Sequence, residues 1–137
     1  MGRVTQVLLV DDDEQFAALL GRAFSQAATG VQLQTATDGQ EALAALRPWR
    51  ASSERRVVLL DLHMPRMDGI ELLRRLRSDP KLCTIPVVIL TASTDARDRE
   101  EPTRLGVAGF IVKPTEFARL VDLARALGQY WSFVELP

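Results

Sequence analysis

The chain has 137 residues, enough for one domain with a substantial core, and its 47% apolar and 26% charged residues suit an ordinary globular fold. A net charge of −1 gives no basic footprint for nucleic acid, and the single Cys83 cannot form an internal disulfide, so a reducing cytoplasm is the expected setting. The N-terminus offers only "VTQVLLV" as an apolar run, so neither a signal peptide nor a membrane span is expected.

In chain order, "VLLV" at 7–10 is a short apolar run that stops at Asp11, the pattern of a buried strand. From Phe16 the apolar residues fall at 16, 19, 20, 23, 24 and 27, one face of a helix. "VQLQTA" at 31–36 alternates, which predicts a strand with one wetter face, at a sheet edge. Asp38 with Glu41 resembles a capping box opening a helix that runs to about Leu46. "RPWRASSERR" at 47–56 reads as a polar connector, and "VVLL" at 57–60 as a second fully apolar strand. Asp68 with Glu71 repeats the capping pattern, and Ile70, Leu72, Leu73 and Leu76 make a helix that stops near "SDP". "IPVVIL" at 85–90 is a third buried strand, a weak helix ending at Gly106 follows, and "GFIV" at 109–112 is the last strand. After Pro114, the run from Phe117 to Trp131 is an amphipathic helix.

Five strands alternating with five helices predict an α/β domain, a doubly wound parallel sheet covered on both faces. Right-handed crossovers leave few topologies, and the flavodoxin-like order 2-1-3-4-5 suits a chain whose second strand is its most polar. Ligands then sit at the carboxyl ends of the strands. Strand one ends in Asp11, Asp12 and Asp13, strand three in Asp61, strand four in Thr91 and strand five in Lys113. Converging carboxylates repel one another and favour a hard divalent cation, for which Mg²⁺ with a few oxygen ligands is the natural choice. Lys113 supplies a point charge for a phosphoryl group, Thr91 a hydroxyl, and an aspartate can itself be the nucleophile that becomes an aspartyl phosphate. Asp13 reads as a helix cap rather than a site carboxylate.

"VLLVDDD", "LLDLHMPRMDG", "VVILTAS" and "GFIVKP" resemble, in order and spacing, the receiver domain of bacterial two-component response regulators. The resemblance covers nearly the whole chain, 1–137, and implies a single-domain regulator without an output domain. It implies Asp61 as phosphoacceptor, Asp11 and Asp12 as the acidic pair at Mg²⁺ (Asp12 the direct ligand, Asp11 largely through water), and the backbone carbonyl of His63 as a further ligand. It also implies Thr91 as the switch hydroxyl, Phe110 as the switch aromatic, Lys113 as the phosphoryl-pairing lysine, and a cis Lys113–Pro114 bond. A histidine kinase or a phosphotransfer protein would donate the phosphoryl group, and the receiver would catalyse its own phosphorylation and slow dephosphorylation. The position of His63, two residues after the phosphoacceptor, is one that affects phosphoryl lifetime in the family, and a histidine there would make that lifetime pH-dependent.

Pro102 departs from the family pattern. A proline inside a helix costs roughly 3 kcal/mol, so the fourth helix either starts there or kinks, and 94–101 should be irregular. Leu123, Tyr130 and Trp131 extend the last helix's apolar character, and with "SFVELP" resemble the tail of stand-alone receivers that partner bacterial phytochrome-type kinases and form homodimers. That reading places 131–137 at a dimer interface; the alternative is that the tail packs back on its own domain. Three other functions compete with a phosphorylated switch: a phosphorylation-independent interaction module, a small aspartyl-phosphate hydrolase, and a flavin carrier. The intact acidic and lysine set argues against the first. No room for a substrate cap argues against the second. Three aspartates where a phosphate-cradling loop would lie argue against the third.

Overall fold

The computed structural model describes residues 5–51, 55–64, 68–92 and 95–133. Its elements are β1 (Thr5–Val10), α1 (Glu14–Ala27), β2 (Val31–Ala36), α2 (Gly39–Leu46), β3 (Arg55–Leu60), α3 (Gly69–Ser78), β4 (Val87–Thr91), α4 (Glu100–Arg104), β5 (Gly109–Val112) and α5 (Phe117–Phe133). All strand pairs are parallel, in the order β2-β1-β3-β4-β5. The expected flavodoxin-like fold is therefore what the chain forms, with the most polar strand, β2, at an edge.

The sheet is buried on both faces because its central strands are apolar at successive residues, and successive residues point to opposite sides. Leu8, Val10, Val58, Leu60 and Ile89 pack with Leu46 of α2 and with Leu72, Leu73 and Leu76 of α3. Val7, Leu9, Val57, Leu59 and Leu90 pack with Leu20 and Phe24 of α1 and with Leu120 and Ala124 of α5. Truncating one such leucine to alanine costs about 2–5 kcal/mol, so neither face is dispensable for a domain of this size.

Three helices start as the capping patterns predict. Asp13, Asp38 and Asp68 accept the backbone N–H groups of Phe16, Glu41 and Glu71, each satisfying a donor that the first turn leaves free. The connector at 47–56 is more structured than expected. Pro48–Ala51 forms a 3₁₀ turn that buries Trp49 against the α2–α3 core. β3 begins at Arg55, two residues before the apolar run, because Arg55 and Arg56 pair with Thr5 and Gln6. Their guanidinium groups donate to the carbonyls of Trp131 and Trp49. β4 starts at Val87 rather than at 85, since Pro86 has no N–H for the ladder and contributes only its carbonyl, to Val58.

The region around Pro102 is irregular over its described part: a 3₁₀ stretch, Ala96–Arg99, leads into a five-residue α4. Pro102 is the third residue of α4 and is buried. In a first turn its missing N–H costs no helical bond. Gly106 then leaves the helix with φ of 73°, a conformation open to glycine at little cost. Arg77 ties this corner together. Its guanidinium donates to the carbonyls of Leu105 (2.7 Å), Ile85 (2.9 Å), Cys83 (3.2 Å) and Gly106 (3.2 Å).

One expectation is corrected: the Lys113–Pro114 bond is trans, as no cis bond occurs among the described residues; trans is the lower-energy isomer of an X–Pro bond. Of the two readings open for the tail, Trp131 follows the second: it is 3% exposed and packs into the α1–α5 core of its own domain. Tyr130 and Phe133 are exposed, and 134–137 lie outside the described residues. No described helix is long and apolar enough to cross a membrane.

Candidate functional site

The residues at the carboxyl ends of the strands are locked by continuations of the sheet's own hydrogen bonding. Asp11 donates its backbone N–H to Ala36 (2.9 Å), Asp61 to Val10 (2.9 Å) and Lys113 to Thr91 (2.8 Å). Each functional side chain thus springs from backbone held as rigidly as a strand, the arrangement that positions reacting groups best.

Asp11, Asp61 and Thr91 are all buried, at 1%, 6% and 4% exposure, while Asp12 is open to solvent. The Lys113 ammonium lies 2.5 Å from Asp11 Oδ2 and 3.6 Å from Asp61 Oδ2. Carboxylate oxygens of Asp11, Asp12 and Asp61 come within 4.8 Å of one another. Three carboxylates against one ammonium leave an excess of negative charge. The Asp61 carboxyl is accordingly pushed above its ordinary value, first by burial and then by the neighbouring Asp11 and Asp12 charges. Lys113 and the backbone N–H of His63, which donates to Asp61 Oδ1 at 3.3 Å, pull the other way.

These residues fit a hard divalent cation. The donors are all oxygen, one carboxylate is exposed at the mouth, and buried Asp11 Oδ2 accepts no hydrogen bond of proper geometry despite the nearby ammonium. A cation there would remove the repulsion that raises the Asp61 value.

Thr91 ends β4, its carbonyl bonded to Lys113 N–H. Phe110 lies on β5, partly buried against the α2–α3 core; the Arg99 guanidinium sits 5.0 Å from its ring centre. The His63 ring points outward, 3.8 Å from Asp98 Oδ2, beside a cavity of about 200 Å³ also lined by Leu62, Arg97 and Pro102. Its backbone, rather than its ring, touches Asp61. Of the "MPRMDG" loop, 65–67 lie outside the described residues. A wider groove of about 690 Å³ opens at the opposite ends of β4 and β5, between Cys83, Pro86 and Leu105, away from every carboxylate of the site.

Gly69 is a site residue that sequence reasoning passed over. A Cβ on it would come within 2.4 Å of the Asp61 carbonyl oxygen and 2.6 Å of Leu62 Cα, and its N–H donates to the Leu62 carbonyl at 3.0 Å. Only glycine lets α3 start this close to the chain that carries Asp61. The signal was a glycine, a poor helix former, directly after the capping Asp68.

Comparison with known proteins gives this site a family. The model of the response regulator receiver domain matches residues 7–125, and the chain belongs to that family. Probable methanogenesis regulatory protein FilR2 of Methanothrix harundinacea is 34% identical over 127 residues, 91% of this chain and 82% of that protein. Transcriptional regulatory protein GltR of Pseudomonas aeruginosa is 33% identical over 130 residues, 95% of this chain but 51% of its own, so the chain spans about half of that relative. Among solved structures, the phosphorylated cyanobacterial phytochrome response regulator RcpA superposes with a TM-score of 0.84 at 31% identity, over 97% of this chain and 98% of that one. The Mn²⁺-bound response regulator Rcp1 gives 0.81 at 28%, over 97% and 99%. The bacteriophytochrome response regulator RtBRR gives 0.74 at 34%, over 98% and 84%. Acceptance of a phosphoryl group is general to this family, as are binding of Mg²⁺ and interaction with histidine kinases or phosphotransfer proteins.

Proposed function

We propose that this receiver domain is a signalling switch, phosphorylated on Asp61. The supporting observation is the unequal state of its two buried carboxylates. Asp11 Oδ1 accepts the Asp13 N–H at 3.0 Å, and its Oδ2 is ion-paired with the Lys113 ammonium at 2.5 Å without a hydrogen bond of proper geometry. Asp61 is held more loosely, 3.3 Å from the His63 N–H and 3.6 Å from Lys113, and is the less buried of the two. Asp61 is therefore the carboxylate with electron pairs free to attack, and Lys113 stands where it can leave Asp11 and meet the incoming charge.

Asp11, Asp12 and Asp61, with the His63 carbonyl, would hold Mg²⁺. When bound, the ion supplies charge neutralisation for Asp61 and for a phosphoryl oxygen. The Asp61 oxygen forms the new P–O bond as the bond from phosphorus to the donor breaks, and the donor leaves with that electron pair. Lys113 pairs with the new anion, and the Thr91 hydroxyl donates to one of its oxygens. Phe110 then turns inward, and the face built by α4, β5 and α5 changes for a partner. Loss of the group by hydrolysis resets the switch.

The donor is a histidine kinase or a phosphotransfer protein. Similarity to regulators of phytochromes favours a bacteriophytochrome-type kinase, in the cytoplasm. Exposed Tyr130 and Phe133 at the end of α5 favour a homodimer through that end. The decisive experiment is intact-mass measurement after incubation with acetyl phosphate and Mg²⁺. One added phosphoryl group, absent in Asp61→Asn, supports the switch. No addition to a folded parent with several donors overturns it in favour of a passive interaction module.

A further inference from the structure

The Lys113 ammonium has a third neighbour besides its two carboxylates. Its Nζ lies 4.7 Å from the centre of the Phe16 ring. Phe16 opens the apolar stripe of α1 and is 7% exposed, so filling the α1–α5 core explains its apolar character. It does not explain why its π face meets the cation of the site. A leucine would fill that core too, without offering the ammonium anything.

The contact closes a circuit of four residues. The Asp13 N–H donates to Asp11 Oδ1 at 3.0 Å, and Asp13 Oδ1 accepts the Phe16 N–H at 2.9 Å. The Phe16 ring lies against Lys113, and Lys113 returns to Asp11 Oδ2 at 2.5 Å. The cap of α1, the carboxylate that ends β1 and the lysine that follows β5 thereby fix one another's places. Asp13, which reads as a helix cap alone, is the link that sets the height of the Phe16 ring.

We propose that Phe16 is a positioning residue for phosphoryl transfer to Asp61, acting through Lys113; the proposal rests on the function argued above. Lysine is a point charge on a flexible four-carbon stem and needs an external guide. An aromatic face guides it without a lone pair, so the ammonium keeps its three N–H donors for carboxylate and phosphoryl oxygens. The attraction is also soft in direction. Nζ can slide from Asp11 toward a phosphoryl group on Asp61 while staying against the ring. A carboxylate in the place of Phe16 would hold the lysine back and add to the negative charge that already crowds the site.

The test compares Phe16→Leu, which keeps apolar bulk, with Phe16→Tyr, which keeps the ring. Only two lysines occur in the chain, Lys81 and Lys113, so the Lys113 methylene signals are readily assigned by ¹H–¹³C NMR. In the parent and in Phe16→Tyr the Lys113 Hε protons should resonate upfield through the ring current, and in Phe16→Leu near the Lys81 position. Phe16→Leu should take the phosphoryl group from acetyl phosphate about three- to tenfold more slowly and bind beryllofluoride, a phosphoryl mimic, weaker by a similar factor. Its Mg²⁺ affinity by calorimetry should equal the parent's, because the carboxylates are untouched. Phe16→Tyr should restore both phosphoryl readouts. A Phe16→Leu protein that reacts and binds beryllofluoride like the parent overturns the proposal. So does equal loss in the Leu and Tyr variants, or a fall in Mg²⁺ affinity that accounts for the slower reaction. A parent that takes no phosphoryl group overturns the functional reading itself, an outcome distinct from a reactive parent with an equally reactive Phe16→Leu.

Discussion

Replacing Gly69 by alanine should damage the site without touching any carboxylate. The added Cβ would lie 2.4 Å from the Asp61 carbonyl oxygen and 2.6 Å from Leu62 Cα, where an ordinary contact needs about 3.4 Å between heavy atoms, so about 1 Å of movement is required. Nothing at that point is a flexible side-chain end. Either the first turn of α3 lifts away, giving up the 3.0 Å bond from Gly69 N–H to the Leu62 carbonyl, or the chain after Asp61 is pushed back along β3. The first route loses a backbone hydrogen bond and some packing of Leu72 and Leu73, about 1–3 kcal/mol. The second displaces the carboxylate proposed to react by about an ångström, which can cost about a hundredfold in rate. Strain divided between the two routes would lower both stability and rate. Gly69→Ala should therefore unfold about 1–3 kcal/mol more easily in urea and take a phosphoryl group from acetyl phosphate at least about tenfold more slowly. Both are measurable on one preparation, by circular dichroism and by intact mass. A variant within about 0.5 kcal/mol of the parent in stability, and within twofold of it in rate, would show that this close approach is not a constraint.

Two further substitutions read other parts of the structure. Burial and the neighbouring Asp11 and Asp12 charges raise the Asp61 value above 3.8. The native state then holds that proton more tightly than the unfolded chain, and its contribution to stability is present below pH 3.8 and lost as the pH rises through the raised folded value. In metal-free buffer Asp61→Asn should thus match the parent at low pH and exceed it once the pH has risen through the raised folded value. Mg²⁺ should raise the parent's melting temperature more than the variant's. A stability gap independent of pH would contradict the argument. Arg77→Met should cost about 2–3 kcal/mol, because four backbone carbonyls around the α3–β4 and α4–β5 corners lose a charged donor at once. A urea midpoint unchanged within error would show that water replaces the guanidinium freely.

The fold was legible because its signals are periodic and local. Fully apolar runs ending on Asp11 and Asp61, an alternating run at 31–36, and aspartates three residues before a glutamate each report on their own element. Parallel-sheet topology then brings the strand ends together, so Asp11, Asp12, Asp61 and Lys113 could be placed in one site without knowing any distance. What escaped were contacts between elements distant in sequence. Trp131 looks like an exposed extension of the α5 stripe until Arg55, at the start of β3, is seen to bind its carbonyl and the indole to enter the core. Arg77 looks like one of several surface arginines on α3 until the carbonyls of two other loops are found around it. Phe16 looks like core, and is core, yet the same ring also meets Lys113 across the sheet. Each belongs to the pattern of one element and acts on another, and periodicity carries no information on that second role. Gly69 lies between the two cases. Its identity is anomalous for the start of a helix, which the chain does show, whereas the backbone it must approach becomes visible only when α3 is laid beside the end of β3. A residue that breaks the rule of its own element is therefore the place to look first for a constraint imposed by another.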